Sequence, residues 1–264
     1  MATAPLKTQY LKLKTKKMTY CTVIPTYNNA RTVADIVKRT LAVCPQVIVV
    51  NDGSTDDTLA VLEPLKDKIQ LITYIRNRGK GHALRLGLDA ARKAGYDYAV
   101  TIDSDGQHRP EEIPQLVSAT QASRQQGNQA ILVVGSRNLQ ADGMPAGNTF
   151  ANRFSNFWFR VQTGINLPDT QTGFRLYPLH HLPCLGLITA RYESELELLV
   201  FSAWHGVKLV PVGISVSYPD DRVSHFRPFW DFFRISILNT ALCIIALVYG
   251  YPRMLITKLL TRNY

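Results

Sequence analysis

The sequence predicts an α/β protein organised on a mostly parallel sheet with covering helices. Short β-rich runs alternate with helical segments from residue 20 onward, and Val47 to Val50 is continuously apolar, as strands buried on both faces are. Polar clusters follow the first, second and fourth runs, where an open sheet of this class gathers its ligands.

Tyr20 to Ile24 is the first run, and Pro25 is expected to stop it. Val33, Ile36, Val37 and Leu41 recur at helical spacing through Arg31 to Leu41, and the second strand then ends at Asn51-Asp52. Ser54 and Thr55 followed by Asp56 and Asp57 signal a helix start, with the helix running to about Leu65. A third strand is expected near Leu71 to Ile75, a helix over Gly81 to Ala94, and a fourth strand over Tyr98 to Ile102. Pro110 with Glu111 and Glu112 places a proline and acids in the first turn of the next helix. Ile131 to Val134 is a fifth strand. Helices near Asn148 to Val161 and Tyr192 to Trp204 follow, separated by a loop through Pro168 to Gly173, and then a strand over Lys208 to Ser217. The resulting organisation is a basic arm over 1–18, one α/β domain over 19–230 and an apolar helical segment over 231–264.

Composition bounds the function. A 264-residue chain with 46% hydrophobic and 19% charged residues has the apolar content for a packed core, which excludes disordered and collagen-like classes. The net charge of +10 favours phosphate-rich partners: nucleotides, nucleic acid or an anionic membrane surface. Cys21, Cys44, Cys184 and Cys243 show no metal-ligand spacing and are too few for a disulfide framework, so free thiols in a reducing compartment are expected. Residues 1–17 carry five lysines, no acid and no apolar stretch of signal-peptide length, which leaves either a short edge strand or a basic arm on lipid headgroups.

The chemistry sits at the strand ends. No GxGxxG follows the first strand and no GxxxxGK[ST] occurs, which argues against a dinucleotide-binding fold and a P-loop NTPase. Asp103 and Asp105, one residue apart, repel each other unless a cation resolves the charge. Mg²⁺ or Mn²⁺ held by Asp103, Asp105, Gln107 and a substrate's phosphates fits that requirement, while a turn before the Pro110 helix is the alternative use of the same carboxylates. Asp52-Gly53-Ser54-Thr55 is likewise both a ligand loop and a good helix cap.

Six motifs occur in order: Val23-Ile24-Pro25-Thr26-Tyr27-Asn28, Asn51-Asp52-Gly53-Ser54-Thr55-Asp56, Asn77-Arg78-Gly79-Lys80-Gly81-His82, Asp103-Ser104-Asp105-Gly106-Gln107-His108, Gly135-Ser136-Arg137, and Asp169-Thr170-Gln171-Thr172-Gly173-Phe174-Arg175. Over residues 20 to 230 this series resembles the inverting GT-A glycosyltransferases of family 2, in particular the polyprenyl-phosphate (dolichyl-phosphate) mannosyltransferase-like branch. The resemblance implies a GT-A fold, a nucleotide-diphosphate sugar as donor (GDP-mannose or UDP-glucose), a polyprenyl-phosphate acceptor at a membrane, and no nucleic-acid partner. It also implies that Pro25, Tyr27 and Asp52 line the base and ribose site, and that Asp103, Asp105 and Gln107 bind metal and diphosphate. Lys80 is placed beside the nucleotide, although a solvated turn between two glycines accounts for it equally. Asn29 stands where the family commonly has Glu, which leaves a base contact at that position unsupported.

Asp105, Asp169 and Arg175 are the expected catalytic residues, Asp169 and Arg175 by resemblance to the element that borders the sugar and acceptor; a simple Asp169–Arg175 pair is the alternative. Arg222, Ser224, His225 and Arg227 suit an acceptor phosphate, since arginine forks match phosphate oxygens, or they snorkel to headgroups. An ionised lipid phosphate needs no general base. A hydroxyl acceptor, on a membrane lipid or a glycan, needs one, with Asp169, Glu193 and Glu195 as candidates. At helical spacing Glu193 and Glu197 share a face and Glu195 points elsewhere. A non-catalytic basic protein that binds membranes or nucleic acid is the reading from another class, and the Asp103/Asp105 pair argues against it.

Ile235 to Pro252 holds 18 residues without a charge, about 27 Å of helix against a hydrocarbon core of about 30 Å. Aromatic flanks suit an interface, and a crossing would carry Arg253, Lys258 and Arg262 across, against the positive-inside tendency. The segment is therefore read as lying in or dipping into the cytoplasmic leaflet, with a single span and a core helix as alternatives.

Overall fold

The computed structural model describes residues 18–137, 146–182, 189, 191, 193–217 and 228–262, with the helix ends at 146–150, 228–232 and 260–262 described by backbone alone. The basic arm over 1–17, Cys184, and the Arg222, Ser224, His225 and Arg227 set lie outside the described residues. In chain order the elements are β1 (Tyr20–Thr26), α1 (Val33–Val43), β2 (Val47–Asn51), α2 (Thr58–Leu62) continued by a 3₁₀ turn (Glu63–Lys68), β3 (Gln70–Thr73), α3 (Lys80–Lys93) and β4 (Tyr98–Thr101). Then come a 3₁₀ turn (Pro110–Glu112), α4 (Ile113–Gln125), β5 (Ile131–Arg137), α5 (Ala146–Thr163), β6 (Arg175–Pro178), α6 (Glu193–Trp204) and β7 (Lys208–Ile214). α7 (Pro228–Ile245), a π turn (Ala246–Gly250) and α8 (Tyr251–Arg262) complete the described chain.

The strands form one sheet in the order β3-β2-β1-β4-β6-β5-β7. It is a mixed sheet: four of its six pairings are parallel, as expected, while β6 enters between β4 and β5 and pairs antiparallel with both, with Val100 opposite Leu176 and Val133 opposite Leu176. β6 escapes a sequence reading because four residues opening on an arginine show no period, and its partners are distant in sequence. The strand alternation fixes two cores, one on each face. Val23, Val50 and Val134 face α3, α6 and α7, packing with Leu84, Leu199 and Leu242. Their neighbours Ile24, Val49 and Val133 face α1 and α4, packing with Ile36, Ile113 and Leu116.

Pro25 does not stop β1. Thr26 still pairs with Asn51, and Asp52 N–H donates to the Thr26 carbonyl at 2.8 Å. Val23 turns its carbonyl towards β4, accepting from Ile102 N–H at 3.2 Å, so Pro25, two residues on, points its missing donor to the side where β4 has ended. The helix expected from Ser54 begins only at Thr58. Ser54 Oγ accepts Asn28 N–H at 2.9 Å and Thr55 N–H donates to Asn28 Oδ1 at 2.8 Å, so these groups tie the β1 loop to the β2 loop and do not cap a helix.

The C-terminal helix extends past Pro252 to Arg262, further than the uncharged segment suggests. The wide π turn immediately before Pro252 accommodates a ring that would clash with the carbonyl four residues back in a regular helix. Phe233–Leu259 is long and apolar enough to cross a membrane by length and composition, with 28% of its apolar window buried. One of its faces packs on the domain, where Leu238, Asn239, Leu242 and Ala246 are buried.

Candidate active site

The C-terminal ends of β1, β2 and β4 open onto one cleft of about 830 Å³. Pro25, Tyr27, Asp52, Lys80, Asp103, Asp105 and Gln107, all singled out in the sequence, line it together. Asp52 acts on the backbone: its carboxylate accepts Arg78 N–H at 2.7 Å and Gly79 N–H at 2.9 Å, which folds the Asn77-Arg78-Gly79 loop over the end of β2. Gly53 permits that approach, because at φ +66 a Cβ there would lie 2.6 Å from the Arg76 carbonyl carbon and the Asn77 nitrogen. Asn29, in place of the more common Glu, donates through Nδ2 to Ser104 Oγ at 2.8 Å and so braces the β1 loop against the β4 loop.

Lys80 opens α3 and reaches across the cleft. Its ammonium lies 2.7 Å from Asp103 Oδ1 and 3.0 Å from Glu195 Oε2, which is not the contact of a solvated turn. Burial would push Lys80 down, and the two carboxylates outweigh it and hold the ammonium above its ordinary value. Burial would likewise raise Asp103, and Lys80 holds the carboxyl below the usual carboxylate range. Asp105 accepts Gln107 N–H on Oδ1 at 3.0 Å, a short turn that brings the Gln107 side chain to the same cleft. Next to them His108 is buried, stacks on Phe174 at 5.5 Å and is pushed down by burial to about 4, which makes it a neutral imidazole at neutral pH. Its Nδ1 is buried without a hydrogen-bond partner among the described residues.

Asp169 and Arg175 are placed differently from the expectation. Neither lines the cleft, and both are fully buried behind its wall. Nor do they form a hydrogen-bonded pair with one another. Asp169 takes Arg137 Nε at 2.6 Å and Nη2 at 3.0 Å, Asn152 Nδ2 at 2.6 Å and Gln171 N–H at 3.0 Å. Arg175 donates to the Glu195 carbonyl at 2.7 Å, the Thr170 carbonyl at 2.8 Å and Tyr177 Oη at 3.1 Å. These residues support the site: Asp169 fixes Arg137, which does line the cleft, and Arg175 ties the Thr170 loop to the first turn of α6.

The acidic start of α6 also differs. Glu193 and Glu195 face the cleft, while Glu197 turns away and accepts Thr189 N–H at 3.0 Å. Arg137, Arg191 and His108 also line the cleft, and the sequence alone assigns none of them a role. Arg137 had a signal, since it ends β5 at the same edge as the other strand-end residues.

The oxygen set of Asp103, Asp105 and Gln107 suits a hard divalent cation. No cluster of three or more His, Cys, Asp or Glu side chains occurs among the described residues, so a cation here would complete its shell with ligands from a bound substrate or water.

Comparison with known proteins gives the family. Residues 21–184 match the model described as glycosyl transferase family 2. The polyprenol monophosphomannose synthase of Mycolicibacterium smegmatis is 32% identical over 205 residues, 73% of this chain and 75% of that protein. The human dolichyl-phosphate beta-glucosyltransferase is 26% identical over 81% of this chain and 71% of its own. Among solved structures, glucosyl-3-phosphoglycerate synthase from Mycobacterium tuberculosis, in complex with Mn²⁺, UDP-glucose and phosphoglyceric acid, superposes with a TM-score of 0.60 at 20% identity, covering 93% of this chain and 85% of that one. The fold is thus shared well beyond the matched segment, and the chain belongs to glycosyl transferase family 2 and is a glycosyltransferase.

Proposed function

We propose that the protein transfers a hexosyl unit from a nucleoside-diphosphate sugar to an acceptor hydroxyl, with inversion and with a divalent cation on the diphosphate. The observation that carries this reading is the convergence of Pro25, Tyr27 and the Asp52-held loop with Asp103, Asp105 and Gln107 on one cleft. The first group suits a base and ribose, the second a diphosphate with its cation. The Mn²⁺ and UDP-glucose of the M. tuberculosis complex support the same donor class and cofactor here. Mg²⁺ or Mn²⁺, when bound, neutralises charge building on the leaving diphosphate.

The remaining chemistry belongs to the side chains. The acceptor oxygen attacks the anomeric carbon as the bond from that carbon to the β-phosphate oxygen breaks, and the nucleoside diphosphate leaves with the electron pair. Lys80, fixed by Asp103 and Glu195, adds a preorganised positive charge beside that oxygen set. A hydroxyl acceptor surrenders a proton to a carboxylate. Asp169 is committed to Arg137 and Glu195 to Lys80, so Glu193, on the cleft wall, is the base in this reading.

A polyprenyl-phosphate acceptor is the second reading. It is favoured by what the M. smegmatis and human relatives are named for, and by Ile235, which brings the apolar α7 to the edge of the cleft. That acceptor is already anionic and needs no base. The apolar C-terminal helix supports action at a membrane under either reading.

The experiment is nucleoside-diphosphate release from UDP-glucose and GDP-mannose, with Mg²⁺, Mn²⁺ or chelator, in detergent containing polyprenyl phosphate or diacylglycerol. Release that requires the cation and disappears in Asp105→Ala supports the donor chemistry. Loss of transfer in Glu193→Gln supports the hydroxyl acceptor, whereas transfer to polyprenyl phosphate that survives Glu193→Gln supports the second reading. Release that ignores cation and acceptor alike overturns both.

A further inference from the structure

The apolar C-terminal helix carries two faces, and the structure shows what only one of them is for. Asn239, in the middle of α7, is buried and accepts Gln162 Nε2 on Oδ1 at 2.9 Å, a polar clamp between α7 and α5. Trp204 Nε1 donates to the Gln162 carbonyl at 2.8 Å, and the Trp204 ring fills the space where a side chain at Gly250 would stand. Tyr251 Oη donates to the Val161 carbonyl, and Thr257 packs against Gly206. The helix is therefore fastened to the domain from Asn239 to Thr257. To cross a bilayer it would have to give up all of these contacts and uncover Leu238, Leu242 and Trp204.

The opposite face is apolar and open. Phe233, Ile237, Ile244, Val248, Leu255 and Leu259 are each more than half exposed. At about 100° per residue these six positions fall within an arc of about 80° on a helix about 39 Å long, and Leu247 and Ile256, also more than half exposed, lie about 40° and 60° beyond its edges. The face continues onto α5, where Phe157 is 59% and Val161 40% exposed beside Tyr251. Charge selects the partner. Over α7 and α8 the sequence holds Arg234, Arg253, Lys258 and Arg262 against a single acid, Asp231.

We infer that this two-helix face seats the protein on an anionic lipid surface in the plane of the membrane, without crossing it. Burial of one apolar stripe edged by cations, as Arg234 and Lys258 edge this one, is the physical signature of interfacial binding. The axis lies along the surface because the docked face holds it there. A second copy of the chain would also cover apolar surface, yet it would bring two segments of the same net positive charge face to face. The inference does not depend on which acceptor the enzyme uses.

The test is flotation of the full chain with vesicles of phosphatidylcholine alone or with phosphatidylglycerol, for the natural sequence and for Ile244→Asp/Val248→Asp. Co-flotation with the anionic vesicles is expected, at least tenfold weaker with the neutral ones and at least tenfold weaker for the double variant. Metal-dependent nucleotide binding, measured in parallel, should be unchanged in that variant, which reports on the fold and the donor site separately. A cysteine introduced by Arg262→Cys should react with an impermeant maleimide added outside the vesicles. Protection of that cysteine together with resistance to alkaline extraction would mean a span and overturn the inference. A stable dimer that ignores vesicles would assign the face to a second copy and overturn it equally.

Discussion

Lys80 pairs with Asp103 at 2.7 Å across the cleft, and its second carboxylate partner, Glu195, comes from the other half of the domain. One ammonium thus joins the first turn of α3, the end of β4 and the first turn of α6. In the proposed reaction this contact would couple the nucleotide side of the cleft to the side reached by the acceptor.

Removing the cation should uncouple the two halves. Lys80→Ala is expected to lower kcat/KM for the nucleotide sugar by about 100-fold, equivalent to about 2.7 kcal/mol. Asp103 should respond as well. Burial raises its carboxyl and Lys80 lowers it, so in the variant the carboxyl moves up and the acidic limb of the pH–rate profile shifts to higher pH. Glu195→Gln keeps Lys80 on Asp103 and should raise donor KM several-fold with a smaller change in kcat. A profile and KM identical to the natural enzyme in Lys80→Ala would mean that the pair is only structural.

Asp169 and Arg137 form a buried pair whose loss should read out as stability and as acceptor turnover. Asp169→Asn removes the carboxylate that Arg137 pairs with, a change that costs less than the roughly 3–5 kcal/mol of a fully buried pair because Arg137 lines the open cleft. The pH dependence has a defined sign. Although burial raises Asp169, Arg137 and the hydrogen bonds hold its carboxyl below the ordinary value. Its contribution is then fully present above about pH 4 and is lost as pH falls through the lower folded-state pKa. Urea melts at pH 7 and pH 3 should differ less for Asp169→Asn than for the natural chain; an equal difference would remove Asp169 from the account.

How much of this was readable in the sequence depends on distance along the chain. The loops after β1, β2 and β4 were legible because each follows a run of apolar residues and carries its polar cluster contiguously, so Tyr27, Asp52 and Asp103 fall on one edge once the strands are parallel. β6 was not legible: Arg175 to Pro178 is short, and its place between β4 and β5 depends on pairings more than 40 residues away. The same reason hides the burial of Asp169 and Arg175 from the sequence. Both lie in a recognisable motif, but whether a carboxylate faces a cleft or a buried guanidinium is decided by Arg137, 32 residues earlier. Helical spacing misassigned α6 too, because Glu193 and Glu195 occupy its first turn, where Lys80 draws Glu195 inward and Thr189 claims Glu197.

Gly173 offers a separation of fold from site that most cleft substitutions do not. A Cβ there would lie 2.5 Å from Asp103 Oδ2 and 2.9 Å from Oδ1, so Gly173→Ala must move the Asp103 carboxylate. The displaced group is a side chain with a salt-bridge partner, and the Gly173 backbone is outside the positive-φ range, so the chain itself can take alanine. The thermal midpoint should fall by only a few degrees, about 1 kcal/mol, while Mn²⁺-dependent nucleotide binding weakens by at least tenfold. Gly53→Ala is the contrasting variant: φ +66 and the 2.6 Å approach to the Arg76–Asn77 backbone strain the main chain, and there the melting temperature should drop with the binding. If Gly173→Ala bound nucleotide and Mn²⁺ as the natural chain does, the position of the Asp103 carboxylate would not matter to the site, and the cation would have to be held elsewhere.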